Sequence, residues 1–518
     1  MDFAAIVAFS IVLYVRPQEI FPFLASLRPA FVVLAWGGTA IFTREGGVTK
    51  VLRTPHDWAM LAYFAWIVFT NDDKWGTWNK IYPFVGFYFI TVQALNSMQR
   101  IYVFLYWWLG CILFIAVMAL LSLVGIDPVG SAYVTAASRG RLVFNTSLFN
   151  NANALGHSVI VAVPMIYFLL FWRRPVFIKE VGLALLPVSL YCTFRTESKG
   201  SFISGFGAIL ATLTFGRPKL VQAAILGLGL TAGWSAMTFL PRFGELKTAN
   251  KDEAIQGRVE AFKFGRWATD TFDYGVGYGN FYSAFLQKEG EEIARASHSS
   301  YNQVAAELGK GGILLFVGLM YLGLRTLFQS NTSNDLEERV RRTLFCLIVS
   351  FGVSSWMIDF AFRAVFFVMI ALVAAFHRLL QDRAPVESPE LAIDQAQRDE
   401  ANPVGSMGGE PILIGGEGVA AMPNYTYLSH LKLVRGAARA GSAGASAMAP
   451  IAPLSGSINT QTSNAYAPAA VDEKVMSAAG STAMSWTRIG LVDCIIMYYL
   501  MRLTLYIRVY AIEDLFAA

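Results

Sequence analysis

Apolar stretches of about 20 residues recur over roughly the first 380 positions of the chain, and they decide what it can fold into. A helix of that length rises about 30 Å, the thickness of a bilayer's hydrocarbon core. Helices around a soluble core carry a polar face at the 3.6-residue period, and such faces are missing here. Composition agrees. Of the 518 residues 55% are hydrophobic and 15% charged, against about 25% charged in a soluble domain. The expectation is an all-α polytopic membrane protein of about twelve transmembrane helices, over roughly 2–15, 27–43, 58–70, 81–97, 101–125, 152–172, 177–194, 201–215, 219–240, 303–327, 344–359 and 363–380. No basic n-region precedes the first stretch, so it reads as a span and not as a cleavable signal. The cysteines, Cys111, Cys192, Cys346 and Cys494, have neither CxxC nor zinc-site spacing.

The basic residues test this count, because Lys and Arg gather in short cytoplasmic loops. Arg44, Lys50 and Arg53 follow the second span, and Arg100 follows the fourth. Arg173, Arg174 and Lys179 follow the sixth, Arg217 and Lys219 the eighth, and Arg325, Arg339, Arg341 and Arg342 the tenth. These are alternate loops, so both ends of the chain are expected to be cytoplasmic. Three loops assigned to the periplasm, 126–151, 195–200 and 241–302, break the rule by carrying basic residues. Charge placed against the rule points to a task for the charge.

The organisation follows. Residues 1–383 form a transmembrane domain with a large periplasmic loop at 241–302. In that loop Ala254–Trp267 has the pattern of an amphipathic helix, and the glycine-rich Asp273–Phe281 reads as a turn before a short helix. Residues 384–485 are rich in Ala, Gly, Ser and Pro without apolar period, the composition of a disordered cytoplasmic tail. Residues 486–518 turn apolar again, but Asp493, Arg502 and Arg508 interrupt them. An interfacial helix is expected there in preference to a thirteenth span.

His298 is the sharpest catalytic candidate. An imidazole with a pKa near 6.5 can take a proton from an attacking hydroxyl at neutral pH. Arg141, Arg195, Lys199, Arg258 and Arg266 all lie in or beside the three exceptional loops, and guanidinium forks pair with phosphate oxygens in bidentate fashion. Singly, each residue reads equally well as a helix cap or a headgroup-binding charge; together on one face they suit a pyrophosphate. Gly275-Val-Gly277-Tyr-Gly279 is no dinucleotide fingerprint, since it follows no strand and opens no βαβ helix. Glu307 with Lys310, and Asp359 with Arg363, have the spacing of ion pairs. Pro164 and Pro187 lie within spans, where they are expected to kink the helix. No DxD-type acidic pair lies in the periplasmic loops, so the expected chemistry uses neither metal nor another cofactor.

Taken in order, these segments resemble the O-antigen ligase and polymerase superfamily of bacterial envelope glycosyltransferases. The resemblance is carried by Arg141–Ala154, Thr196-Glu-Ser-Lys-Gly-Ser201, Gly257-Arg258 with Trp267, Gly275–Phe281 and His298-Ser-Ser-Tyr with Glu307-Leu-Gly309. Tyr14-Val-Arg-Pro-Gln-Glu19 is similar to exosortase-associated putative O-glycosylation ligases. The resemblance implies a fold like that of the C-type glycosyltransferases and a polyprenyl-diphosphate-linked glycan (undecaprenyl diphosphate in bacteria) as donor. It also implies that Arg258 and its neighbours hold the pyrophosphate while His298 activates the acceptor hydroxyl. Lys199 stands where the family usually has Arg and lacks the bidentate fork. The expected partners are that donor, an acceptor lipid, protein or glycan, and the bilayer, with no nucleic acid. Polymerisation of an exopolysaccharide by the same chemistry is the nearest alternative. A transporter or flippase using the same arginines is the more distant one, and the chain shows no internal repeat to favour it.

Overall fold

A computed structural model describes residues 1–49, 51–237, 253–290, 295–383 and 486–508. Among them every regular element is helical. The expected tail at 384–485 and the first part of the long loop, 241–252, lie outside the described residues.

Each stretch expected to cross a membrane contains a helix among its described residues. They are α1 (Asp2–Tyr14), α2 (Pro29–Phe42), α3 (Pro55–Phe69), α4 (Lys74–Ala94), α5 (Met98–Leu121), α6 (Ala152–Phe171), α7 (Val176–Arg195), α8 (Lys199–Thr214) and α9 (Lys219–Met237). The long loop contributes α10 (Glu253–Thr271) and α11 (Phe281–Glu289). Then come α12 (Ser300–Gln329), α13 (Asp335–Ser354), α14 (Ala364–Gln381) and α15 (Leu491–Tyr506). Five of them, α5, α6, α7, α12 and α14, are long and apolar enough to cross a membrane. Local chemistry sets the starts. Ser97, Ser198, Ser299 and Asn334 each cap the helix that follows by accepting a backbone N–H. Thr54 and Asp57 form a reciprocal capping box with Pro55 in the first turn of α3.

The bundle has two chemically distinct ends. At the first, Asp2 lies between Arg44 (3.2 Å) and Arg100 (3.1 Å), and Arg342 donates to the Phe215 carbonyl at the end of α8 (2.8 Å). At the second, Arg16 and Glu19 both bind Ser147, with Glu19 accepting from its hydroxyl at 2.7 Å. Asn71 donates there to the Tyr278 carbonyl (3.0 Å). The Tyr14–Glu19 motif thus ties the start of the chain to the segment that carries Arg141.

Pro164 breaks α6. With no N–H at 164 to reach the Ile160 carbonyl, the helix opens at Ile160–Val161: the Val163 N–H bonds to Ile160 (3.1 Å), and Ser189 of α7 donates to the Val159 carbonyl that this leaves free (3.0 Å). Pro187 leaves α7 continuous. Helix α12 is kinked at Gly309, whose φ of +63° lets the Asp273 carbonyl press against its backbone where a Cβ would collide. Glu307 does not pair with Lys310 as expected. Its carboxylate accepts from the backbone N–H of Gly279 (2.8 Å) and Phe281 (3.4 Å), while Val276 and Gly277 donate to the carbonyls of Ala306 and Glu307. The glycine-rich turn is therefore a plug on the kink of α12. Asp359 and Arg363 form no ion pair within 4.0 Å among the described residues, although Arg363 acts electrostatically on Asp359.

The expected interfacial helix at the end of the chain is part of the same compact unit as the bundle. It lies along α12, with Asp493 paired to Arg325.

Candidate functional site

The second end of the bundle gathers the candidate residues through three small structures. The first is the start of α12. Ser299 and Ser300 are stitched to the loop between α13 and α14: the Ser300 N–H donates to the Ser355 carbonyl (2.7 Å) and its hydroxyl to the Ile358 carbonyl (2.6 Å). These bonds hold His298 in the left-handed region at φ +50°, a conformation that costs a residue with a Cβ roughly 1–2 kcal/mol. Among the described residues, neither ring nitrogen of His298 has a hydrogen-bond partner.

The second is α10, laid on the start of α12 along a stripe of small residues. A Cβ at Gly265 would overlap the Asn302 amide, which donates to the Ala261 carbonyl (2.9 Å). At Gly257 a Cβ would lie 3.1 Å from Arg295 Nε, so the absence of a side chain there lets the Arg295 guanidinium cross the helix. Arg295 also reaches Glu260 at 3.4 Å. This close packing brings Arg258 within electrostatic range of His298. Burial, then the charges of Arg258 and Arg295, push the His298 imidazole down to about 4. The ring is neutral at physiological pH, a bare base beside two cations.

The third is the pair of turns before α6 and α8. Leu142 donates to the Arg195 carbonyl (2.9 Å), and Arg141 donates to the Thr196 carbonyl (3.1 Å) and to Asn153 Oδ1 (2.8 Å). Arg141, Arg195 and Lys199 thereby sit on adjoining turns, all half-buried. Arg195 Nε is buried with no hydrogen-bond partner among the described residues. Arg266 is placed differently: it is exposed and 3.7 Å from Asp270, one turn along its own helix.

Two residues that sequence reasoning passed over belong to this site. Arg295 is one, three positions before His298. His157 is the other, in α6 beneath Gly200, where a Cβ would fall 2.8 Å from its Nε2. Arg258 acts electrostatically on His157 as well, so one guanidinium links both imidazoles. His157 Nδ1 joins a short chain of hydroxyls: it lies 3.0 Å from Ser354 Oγ, which lies 2.5 Å from Ser204 Oγ. Its Nε2 is buried and unpartnered among the described residues. A signal existed for it: an ionisable residue inside an apolar span is a functional candidate by default.

The chain matches no protein-family model and no curated protein.

Proposed function

We propose that the protein transfers a glycan from a polyprenyl-diphosphate carrier to an acceptor hydroxyl, as an O-antigen ligase does, at the periplasmic face of a bacterial inner membrane. One observation carries the reading: Arg258 and Arg295 stand beside a neutral His298 whose ring is held by no hydrogen bond among the described residues. The acceptor oxygen attacks the anomeric carbon and gives its proton to His298. The bond to the carrier diphosphate breaks, and its electron pair goes to the leaving oxygen, which the guanidiniums face. The order of events favours the base. A bound diphosphate neutralises the cations that depress His298, so the imidazole becomes more basic once the donor is in place. Arg141, Arg195 and Lys199 extend the cationic surface for the rest of the donor headgroup.

The test is transfer by the purified protein in lipid nanodiscs, with polyprenyl-diphosphate-linked glycan and an acceptor. His298→Ala is expected to lose about 10² to 10⁴ in rate with thermal unfolding unchanged, and chelator is expected to have no effect. Wild-type rates in that variant remove His298 from the mechanism. A mass increase on the growing glycan alone would make the protein a polymerase, and movement of the lipid with no covalent change would make it a flippase.

A further inference from the structure

We propose that α15 is a further crossing of the membrane, and that Arg508 at its far end is a positioning residue for α10, the helix of Arg258 and Arg266. The contacts of α15 run from one end of the bundle to the other. Trp486, just before it, sits at the first end: its carbonyl is 3.1 Å from His377 Nε2, and the Arg325 guanidinium lies over its ring at 4.3 Å. Asp493 is paired to Arg325 and accepts from the Tyr321 hydroxyl (2.9 Å). Met497 fills a notch in α12 that only Gly318 leaves open. At the second end, buried Arg508 donates to the Gly265 carbonyl (3.4 Å) and to Thr269 Oγ1 (3.0 Å) on α10. From Leu491 to Arg508 the rise is about 26 Å, close to the hydrocarbon thickness.

The two faces of α15 distinguish a crossing from a surface helix. A helix lying in the interface keeps a polar face in water and an apolar face in lipid. Here the polarity is reversed: Asp493 and Thr504 point inward with Met497 and Met501, while Val492, Ile495, Tyr498, Tyr499, Leu503 and Tyr506 are exposed. Apart from Arg502, which is also exposed, the outward face carries the apolar and aromatic side chains that lipid accepts. The acidic charge on the inward face is met by Arg325, as an intramembrane carboxylate requires. Arg502, less than two turns before Arg508, is within reach of the second end by extending its side chain. An additional crossing puts residue 508 on the side of His298, opposite to the cytoplasmic end expected from sequence. This inference does not depend on the glycan-transfer reading.

Topology is tested in the full-length protein with Cys494 changed to Ser, the three other cysteines being buried. Single cysteines from Ala518→Cys and from Ala296→Cys or Tyr282→Cys in the long loop are reacted with a membrane-impermeant maleimide in right-side-out and inverted vesicles. Labelling of position 518 and the loop from the same face is expected, and labelling from opposite faces overturns the crossing. For the positioning role, hydrogen exchange of residues 258–271 is compared among variants. Arg508→Ala is expected to speed it by about tenfold or more, the worth of a hydrogen bond from a charged donor, and Arg508→Lys to restore most of the protection. Unchanged exchange in Arg508→Ala overturns the positioning role.

Discussion

At the scale of single residues, the site turns on two imidazoles that differ in how they are held. His298 is depressed to about 4 by burial and by Arg258 and Arg295. A group whose folded pKa lies below its unfolded value near 6.5 destabilises the fold as pH drops from about 6.5 towards 4, because the unfolded chain binds the proton more readily. For catalysis, kcat/KM reports the free protein, so its acid limb is expected near pH 4, with a plateau above. Arg258→Gln removes one of the charges responsible and is expected to move that limb upward; a limb that stays in place would show that Arg258 does not set the value. His157 is held at Nδ1 by the Ser354 hydroxyl, and Gly200 lies over its other nitrogen. Gly200→Ala would place a Cβ 2.8 Å from Nε2 and 3.0 Å from Met357 Cβ, an overpacking cost of about 1–3 kcal/mol. Gly207→Ala on the same helix meets Val353 at 3.4 Å and is expected to be nearly neutral. Thermal unfolding in detergent compares the two. His298, Arg258, Arg141, Arg195 and Lys199 drew notice in the sequence because each is a charged or titratable residue in or beside a segment that joins apolar stretches. His157 and Arg295 were not singled out. The burial of the one and the approach of the other across Gly257 are products of packing.

At the scale of elements, the kink of α12 does the positioning. Gly309 turns the helix, Glu307 accepts two backbone N–H groups from the Gly275–Phe281 turn, and Trp66 donates to the Leu308 carbonyl at 2.9 Å. Glu307→Ala would strand the buried Phe281 N–H at about 1–3 kcal/mol and lose the part-buried bond from Gly279. It is expected to lower the unfolding temperature and loosen the turn before it touches any charge of the site. An unchanged melt in Glu307→Ala would show that the turn stands without its clamp. The sequence showed this segment as a turn, from its three glycines, and a possible partner for Glu307 in Lys310. The actual partners are backbone amides some 28 positions away, and main-chain donors carry no residue identity by which to be recognised.

At the scale of the whole molecule, the helices expose aromatic and aliphatic side chains to their surroundings, among them Phe31, Trp36, Phe114, Leu190 and Leu228. Such a surface is stable only in hydrocarbon. The protein is expected to stay in the membrane pellet through a carbonate wash at about pH 11, which strips polar surface attachments but not buried apolar area; release into the supernatant would contradict the membrane reading. From its sequence the chain determined that it is helical, where each apolar helix lies, and which connecting segments carry basic residues, because hydrophobic period and loop composition are local properties that need no partner. Only the tertiary structure decided that Arg258 acts electrostatically on both His298 and His157, that Glu307 holds a turn instead of a lysine, and that the last helix lies along α12 with Asp493 inward. Those depend on which faces meet, and faces meet through glycine notches and backbone groups whose partners are far away in the chain.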